Sequence, residues 1–462
     1  MATIATRNTM ATNARSYKRI LKPCNDMRFT CSFRKRRVAA TCVSSRSFSG
    51  RSTQIMKARI LQLGAVPYKS CNTLDVRSNA KTSSNENPDI PFTDFEILFL
   101  GTSAGSPSVR RNPTSICLRL SQSNWMFDCA EASLRQLMKS TIRVPMTNKF
   151  FITHLHGDHL YGLPGILCTL ENHHNNNGVP STNDRCDIAV YGPVGLYAYL
   201  TATLSTSRTR LNNLQVTVYE LALNETPEQA SSFEKFMRHI PKHPAIRKES
   251  IYADHDHDHA SKPVWKVYDD GNVHVKAGML QHTIASFGYV VEEYQHPGKL
   301  RPDLVLQRGL APGPLYKTLK NGKSVRLPNG DVIQPNEVVG PPAQGRKVVI
   351  MGDTTLSNGI VDIAQNCDVL VHEATLNQTM VTEAKRRGHS TARMAGQCAR
   401  NVNATMLVLT HFSHRFRHWN SADFGSMTTH SLVQEAQVSF KRRAVLAATD
   451  FLRVIVPRHP HI

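Results

Sequence analysis

The stretch Phe150-Phe151-Ile152-Thr153-His154-Leu155-His156-Gly157-Asp158-His159 sets three imidazoles and one carboxylate within six residues, directly behind an apolar run. A short apolar run rich in aromatic residues reads as a buried strand, so the polar cluster falls at a strand end inside the fold. A chance group of surface residues would need no such lead-in. Imidazole and carboxylate together suit Zn²⁺, at about 2.0–2.2 Å from each donor atom. On extended backbone His154 and His156 share one face. Asp158 and His159 follow the tight turn at Gly157 toward a second position. That spacing suits two metals better than one.

Outward from this motif, strands are predicted at 95–100, 116–120, 125–128, 150–152, 188–191, 216–219, 273–276, 348–351, 369–372 and 406–409, with helices over 132–139, 196–204 and 391–402. Repeated strand, loop and helix signals give an α/β layered domain spanning 90–456. Two stretches break the pattern. Residues 224–271 are mostly polar without an obvious period and read as an insertion loop. Residues 294–346 are rich in Pro, Gly and Lys and read as a protruding, flexible arm, since a connection that long is usually functional.

The motif H-x-H-x-D-H behind a strand resembles that of the metallo-β-lactamase superfamily. Further ligand motifs follow in that family's order: His282 in Leu280-Gln281-His282, Asp353 in Met351-Gly352-Asp353-Thr354, and His411 in Leu409-Thr410-His411-Phe412. Other segments narrow the likeness. Phe99-Leu100-Gly101-Thr102-Ser103-Ala104-Gly105, His372-Glu373-Ala374-Thr375, His389-Ser390-Thr391 and Gly309-Leu310-Ala311-Pro312-Gly313-Pro314-Leu315-Tyr316 are similar, in order, to motifs of the short form of tRNase Z.

The resemblance implies an αββα sandwich with metals at one edge, and two zinc ions per subunit. His154, His156, His282 and Asp353 would hold one, and Asp158, His159, His411 and Asp353 the other. It further implies removal of 3′ trailers from precursor tRNA by a homodimer. Asp158 would accept the proton of the attacking water, and His389, oriented by Glu373, would protonate the leaving ribose oxygen. Arg110, Arg111 and Asn112 in the loop after the first strand would meet the 3′ end of the substrate, although Val109 stands where the family often has Lys. Lys317, Lys320 and Lys323 in the arm would grip tRNA. A small-molecule hydrolase of the same superfamily, a thioesterase or lactamase, would leave the arm and the paired 373 and 389 loops without a purpose. A non-catalytic RNA-binding module with a decayed site conflicts with the complete ligand set.

Other histidines read as bland. Asp254-His255-Asp256-His257-Asp258-His259 sits in the polar insertion and reads as a solvated loop, and His173-His174 as loop surface. His414 falls where it could touch RNA.

Composition sets the outer bounds. A 40% hydrophobic content over 462 residues excludes wholesale disorder. The longest apolar runs fall short of the roughly 18 residues of a membrane span, so no membrane partner is expected. Ten cysteines without a C-x-x-C pair give neither a disulfide framework nor a cysteine zinc site. Lys and Arg outnumber Asp and Glu 56 to 35, a net +21, but residues 1–74 hold 15 of those bases and one acid, Asp26. That Arg-rich, Ser-rich, acid-poor stretch reads as an organellar transit peptide outside the fold. Met1-Ala2-Thr3 and Val38-Ala39-Ala40 resemble chloroplast leaders more than mitochondrial ones. A basic tail that stays in place and binds nucleic acid is the alternative.

Overall fold

The computed structural model describes residues 73–75, 95–175, 185–223, 239–254, 262–355, 357–418, 427–442 and 444–459. Residues 1–72, nearly all of the expected leader, lie outside the described residues, as does the run 255–259.

Two sheets face each other. The first contains β1 (Thr73–Asp75), β2 (Phe95–Gly101), β3 (Ser115–Leu120), β4 (Asn124–Cys129), β5 (Thr147–Phe151), β6 (Cys186–Pro193), β7 (Leu214–Ala222), β8 (Ile246–Tyr252) and β18 (Arg453–Ile455). Its order is β1-β18-β2-β3-β4-β5-β6-β7-β8, and β4 to β8 run parallel. The second contains β9 (Val264–Asp269), β10 (Val273–Leu280), β11 (Ser286–Glu293), β14 (Lys347–Ile350), β15 (Val369–Glu373), β16 (Met406–Thr410) and β17 (Val445–Ala447). Its order is β17-β16-β15-β14-β11-β10-β9, with β14 to β17 parallel.

Alternation along single strands decides the layers. In β2, Phe95, Ile97 and Phe99 enter the core between the sheets, while Leu98 and Leu100 pack on the other face. In β16, Met406 and Val408 point inward, and Leu407 and Leu409 outward. The period of two thus supplies two apolar faces, and each outer face needs a helical cover. Helices α1 (Ser133–Lys139), α3 (Leu163–Asn175) and α4 (Leu196–Thr206) cover the first sheet through residues such as Leu137, Leu167 and Leu200. Helices α8 (Val381–Arg386), α9 (Ala392–Asn401) and α10 (Thr429–Phe440) cover the second through Ala384, Ala395, Ala399, Leu432 and Ala436. The result is an αββα sandwich. Between its sheets a ladder of stacked rings, Phe127–Phe151–Tyr191–Tyr219, crosses four parallel strands at centroid spacings of 4.8, 4.9 and 4.8 Å. Among the described residues no helix is long and apolar enough to cross a membrane.

Four sequence expectations change here. Thr73 and Leu74, assigned to the leader, lie in β1, which pairs with the otherwise open edge of β18. The insertion is not all loop, because β8 and β9 fall within it. The polar run Arg247-Lys248-Glu249-Ser250 forms a strand because β8 is a sheet edge with an exposed face, held by its ladder to β7 and by Lys248 against buried Glu220 at 2.8 Å. The arm is a packed unit rather than a flexible segment. Helices α5 (Pro302–Gln307), α6 (Leu315–Lys320) and α7 (Pro335–Val338) and the ribbon β12 (Val325–Arg326) with β13 (Val332–Ile333) enclose Val305, Leu319, Val325, Leu327, Ile333 and Val338. A two-chain neck joins it to β11 and β14. There Gly340 N–H donates to Lys299 O at 2.9 Å and Arg301 N–H to Val338 O at 2.7 Å. His173 and His174 lie in the last turn of α3, not in a loop.

Candidate metal centre

Parallel strands deliver the site. The carboxyl ends of β4 and β5 carry Asp128 and His154, and those of β14, β15 and β16 carry Asp353, Glu373 and His411, while the β10–β11 turn adds His282. Short helix α2 (Gly157–Leu160), which starts just after His156, places Asp158 and His159 in its single turn. Tyr289 of the opposite sheet donates its hydroxyl to Ile152 O at 2.8 Å, pinning the strand end two residues before His154.

The hydrogen bonds behind the imidazoles decide which nitrogen faces the cluster. Thr153 N–H and Oγ1–H both donate to Asp128, at 2.8 Å each. With its one proton spent, Thr153 Oγ1 can only accept from His154 Nδ1 at 3.0 Å. His154 Nε2 then presents a lone pair; it is buried and has no hydrogen-bond partner. His159 Nδ1 donates to Asp128 Oδ2 at 2.7 Å, and His282 Nδ1 to Gly388 O at 2.6 Å. On the other side Thr375 Oγ1 donates to Glu373, so it accepts from His411 Nδ1 at 2.8 Å. Four imidazoles therefore turn Nε2 inward, each fixed by an acceptor behind it, which is the arrangement that metal-ligating histidines show.

Donor atoms converge in overlapping groups, each within 4.8 Å: His154, His156 and His282; His154, His159 and Asp353; Asp158, His159 and His411; Asp353, His389 and His411. Asp353 Oδ2 lies between them, 3.7 Å from His154 Nε2, 3.5 Å from His159 Nε2 and 3.3 Å from His411 Nε2. The donor chemistry and the orphaned His154 nitrogen fit zinc. The charges agree. Burial presses the His154 pKa well down, with His159 adding to the effect. Burial also opposes ionised Asp353, but His411 and His159 reverse this and hold it far below the ordinary carboxylate range. Despite burial, Asp353 and Asp128 hold the His159 pKa far above normal, and a cation would displace that proton.

At the rim, His389 Nδ1 sits 3.2 Å from Glu373 Oε1 and 3.6 Å from Asp353 Oδ2. Burial works against the charged ring, yet Glu373 and then Asp353 lift its pKa to about 9. Gly388 precedes it with φ +78°, and a Cβ there would lie 2.8 Å from His282 Nδ1, so only glycine fits. Asp158 Oδ2 accepts from Gly105 N–H at 2.7 Å, and His411 lies 3.4 Å away.

All seven expected ligands and the pair Glu373–His389 thus meet at one sheet edge. The loop after β2 divides differently. Arg110 is exposed, as is Val109, whereas Arg111 is buried; its Nη1 donates to Phe416 O at 2.8 Å and its guanidinium lies over the Phe412 ring. Arg111 therefore braces the loop rather than reaching for phosphate. Asn112 is also structural, with N–H on Asp450 at 2.7 Å and Nδ2–H on Glu131 O at 2.8 Å. His414 Nε2–H donates to Ser106 O at 2.8 Å, tying the same loop to the segment after His411. Lys317, Lys320 and Lys323 are exposed on the arm. Sequence reasoning missed Asp128, Thr153 and Thr375. An acid ending an apolar strand, as in Trp125-Met126-Phe127-Asp128, was the available signal for the first. Asp128 and His411 both hold left-handed backbone, φ 58° and 56°, a strain tolerated at functional sites.

Comparison with known proteins places this geometry. A family model described as Anti-Pycsar protein Apyc1 matches residues 95–180, a minority of the chain. Human zinc phosphodiesterase ELAC protein 1 is 37% identical over 370 residues, which cover 79% of this chain and 99% of that protein. Ribonuclease Z of Bacillus subtilis is 35% identical over 367 residues, covering 79% of this chain and all of that protein. The chain belongs to the ribonuclease Z family. The crystal structure of the short form of human tRNase Z covers 78% of this chain and 99% of its own, at 29% identity and a TM-score of 0.50. In this chain the sandwich, the donor cluster and the arm all lie within residues 69–462, which form one compact unit.

Proposed function

We propose that this chain is a zinc-dependent endoribonuclease that removes 3′ trailers from precursor tRNA, leaving a tRNA 3′-hydroxyl and a 5′-phosphorylated trailer. It works with two zinc ions per subunit, as a homodimer, after import into a plastid. The observation that carries the reading is the meeting of the donor cluster with the Glu373–His389 pair at one edge, in a chain whose relatives are named zinc phosphodiesterase and ribonuclease Z.

His154, His156 and His282 would hold one zinc, Asp158, His159 and His411 the other, with Asp353 shared. When bound, zinc supplies Lewis acidity to the scissile phosphate and lowers the pKa of water toward ~7. Asp128 and Glu373 keep the ligand rings aimed, directly at His159 and through the Thr153 and Thr375 hydroxyls at His154 and His411. Asp158 stays ionised, because His411 and His159 outweigh its burial, and it takes up the proton of the attacking water. His389 is held protonated near neutral pH by Glu373. Its Nδ1 faces that carboxylate, so Nε2 donates to the departing ribose oxygen. The arm presents Lys317, Lys320 and Lys323 to the RNA backbone, across the dimer, to substrate in the partner's site.

The discriminating experiment offers the purified protein a 3′-extended tRNA, a thioester and a β-lactam, with and without added zinc. Zinc-dependent cleavage confined to the RNA supports the reading. Turnover of the small substrates alone would replace it with the hydrolase alternative.

A further inference from the structure

At the sheet edge opposite the metal centre lies a cleft of ≈ 300 Å³ whose lining includes Arg185, Ser205, Arg208, Arg210, Lys242 and His243. Its walls are the turns that lead into the amino ends of β6, β7 and β8, which start at Cys186, Leu214 and Ile246. The metal centre lies beyond the carboxyl ends of the parallel neighbours. At about 3.3 Å per residue, the length of β6 alone separates the two by roughly 25 Å. One phosphate cannot serve both.

Four cations converge here, and among the described residues none makes an ion pair or a side-chain hydrogen bond. Arg185, Arg208, Arg210 and Lys242 are all exposed. Glu171, the acid beside the cleft, accepts from Asn212 N–H at 2.9 Å, Asn213 N–H at 3.0 Å and Asn213 Nδ2–H at 2.8 Å. The carbonyls ending α4 are taken by the loop's own amides, Ser207 N–H on Thr203 O, Arg208 N–H on Ser205 O and Thr209 N–H on Leu204 O. Each of these carbonyls thus already holds an amide donor. His243 forms the back wall, its Nε2–H on Thr209 O at 2.9 Å, and Ser205 Oγ is buried there without a partner. Arg208 itself sits at φ 52°, an uncommon conformation for arginine.

We propose that this cleft binds a phosphate-bearing anion, one that the metal centre does not engage. Like charges gathered in a concave site repel one another until an anion joins them, and arginine forks suit phosphate oxygens. A free polyphosphate and the phosphates of a bound RNA share this chemistry.

The test uses the full chain, zinc-loaded, and the double variant Arg208→Gln/Lys242→Gln. Inorganic tripolyphosphate is titrated into each by calorimetry, and the salt dependence of binding is measured for a 3′-extended tRNA. Hydrolysis of a small phosphodiester and the melting temperature check that the variant is intact. Tripolyphosphate binding weakened at least about tenfold in the variant assigns the cleft to free polyphosphate. An unchanged tripolyphosphate response with a log–log salt slope flattened by about 0.7–0.9 for each phosphate no longer neutralised assigns it to RNA phosphate. Wild-type behaviour of the variant in both titrations would overturn the proposal.

Discussion

Asp128 shows how much of the metal centre rests on a residue that holds no metal. It takes both Thr153 donors and His159 Nδ1–H, so two ligand rings depend on it. Asp128→Asn keeps the size but supplies one acceptor oxygen in place of two. Zinc affinity should fall about 10- to 100-fold, read by metal content after dialysis against a chelator; unchanged content would remove Asp128 from the supporting set. His389 is tested by leaving group. If it is the acid, His389→Ala should lose about 10²–10⁴-fold in rate on precursor tRNA. A small phosphodiester with an acidic phenol leaving group needs no proton and should be largely spared. Equal losses on both substrates would instead make His389 a positioning residue. Of the seven expected ligands, His154, His156, Asp158 and His159 were read from their spacing behind a strand and His282, Asp353 and His411 from the resemblance; the fold brings all seven together. Asp128 was not legible, because its partner His159 lies 31 positions away and only the fold joins them. Arg111 was misread for the same reason: its charge was visible, but not the Phe416 carbonyl that claims it, 305 positions on.

At the scale of elements, strand positions came through in apolar runs buried on both faces such as β2, β5, β15 and β16, although β11, equally buried, was missed. They were lost where the face was polar. β8 exposes most of its residues, and its pairing with β7 cannot be read from its own period. The arm was misjudged because its elements are two to six residues long, too short for a hydrophobic period to repeat. Their core becomes visible only when Val305, Leu319, Ile333 and Val338 are brought together. A packed arm changes the experiment. Neutralising Lys317, Lys320 and Lys323 together tests the grip without removing the core. Affinity for precursor tRNA should drop, and the log–log salt slope should flatten by roughly 0.7–0.9 for each phosphate that goes unpaired. Hydrolysis of the small phosphodiester should stay at the wild-type rate. An unchanged slope would show that the arm's lysines do not meet the RNA backbone.

For the molecule as a whole, charge is distributed by task. Residues 1–74 hold 15 of the 56 basic side chains against one acid, while the remainder is far closer to balance. Residues 1–70 fused to a fluorescent protein should carry it into plastids; a mitochondrial signal would move the proposed compartment, and a diffuse one would refute the transit reading. The layered α/β class was legible in the recurring strand and helix signals, and the αββα sandwich followed from the resemblance; the strand order came only with the fold. The central claim is hydrolysis of precursor tRNA on the tRNA side of one phosphate, breaking its bond to the ribose 3′ oxygen, with His389 protonating that oxygen. The most direct measurement is to incubate the zinc-loaded protein with a 3′-extended tRNA and determine the chemistry of both new ends. The account predicts a tRNA ending in a 3′-hydroxyl and a trailer beginning with a 5′-phosphate, both absent when zinc is removed. A 3′-phosphate on the tRNA, or cleavage indifferent to zinc, would contradict it.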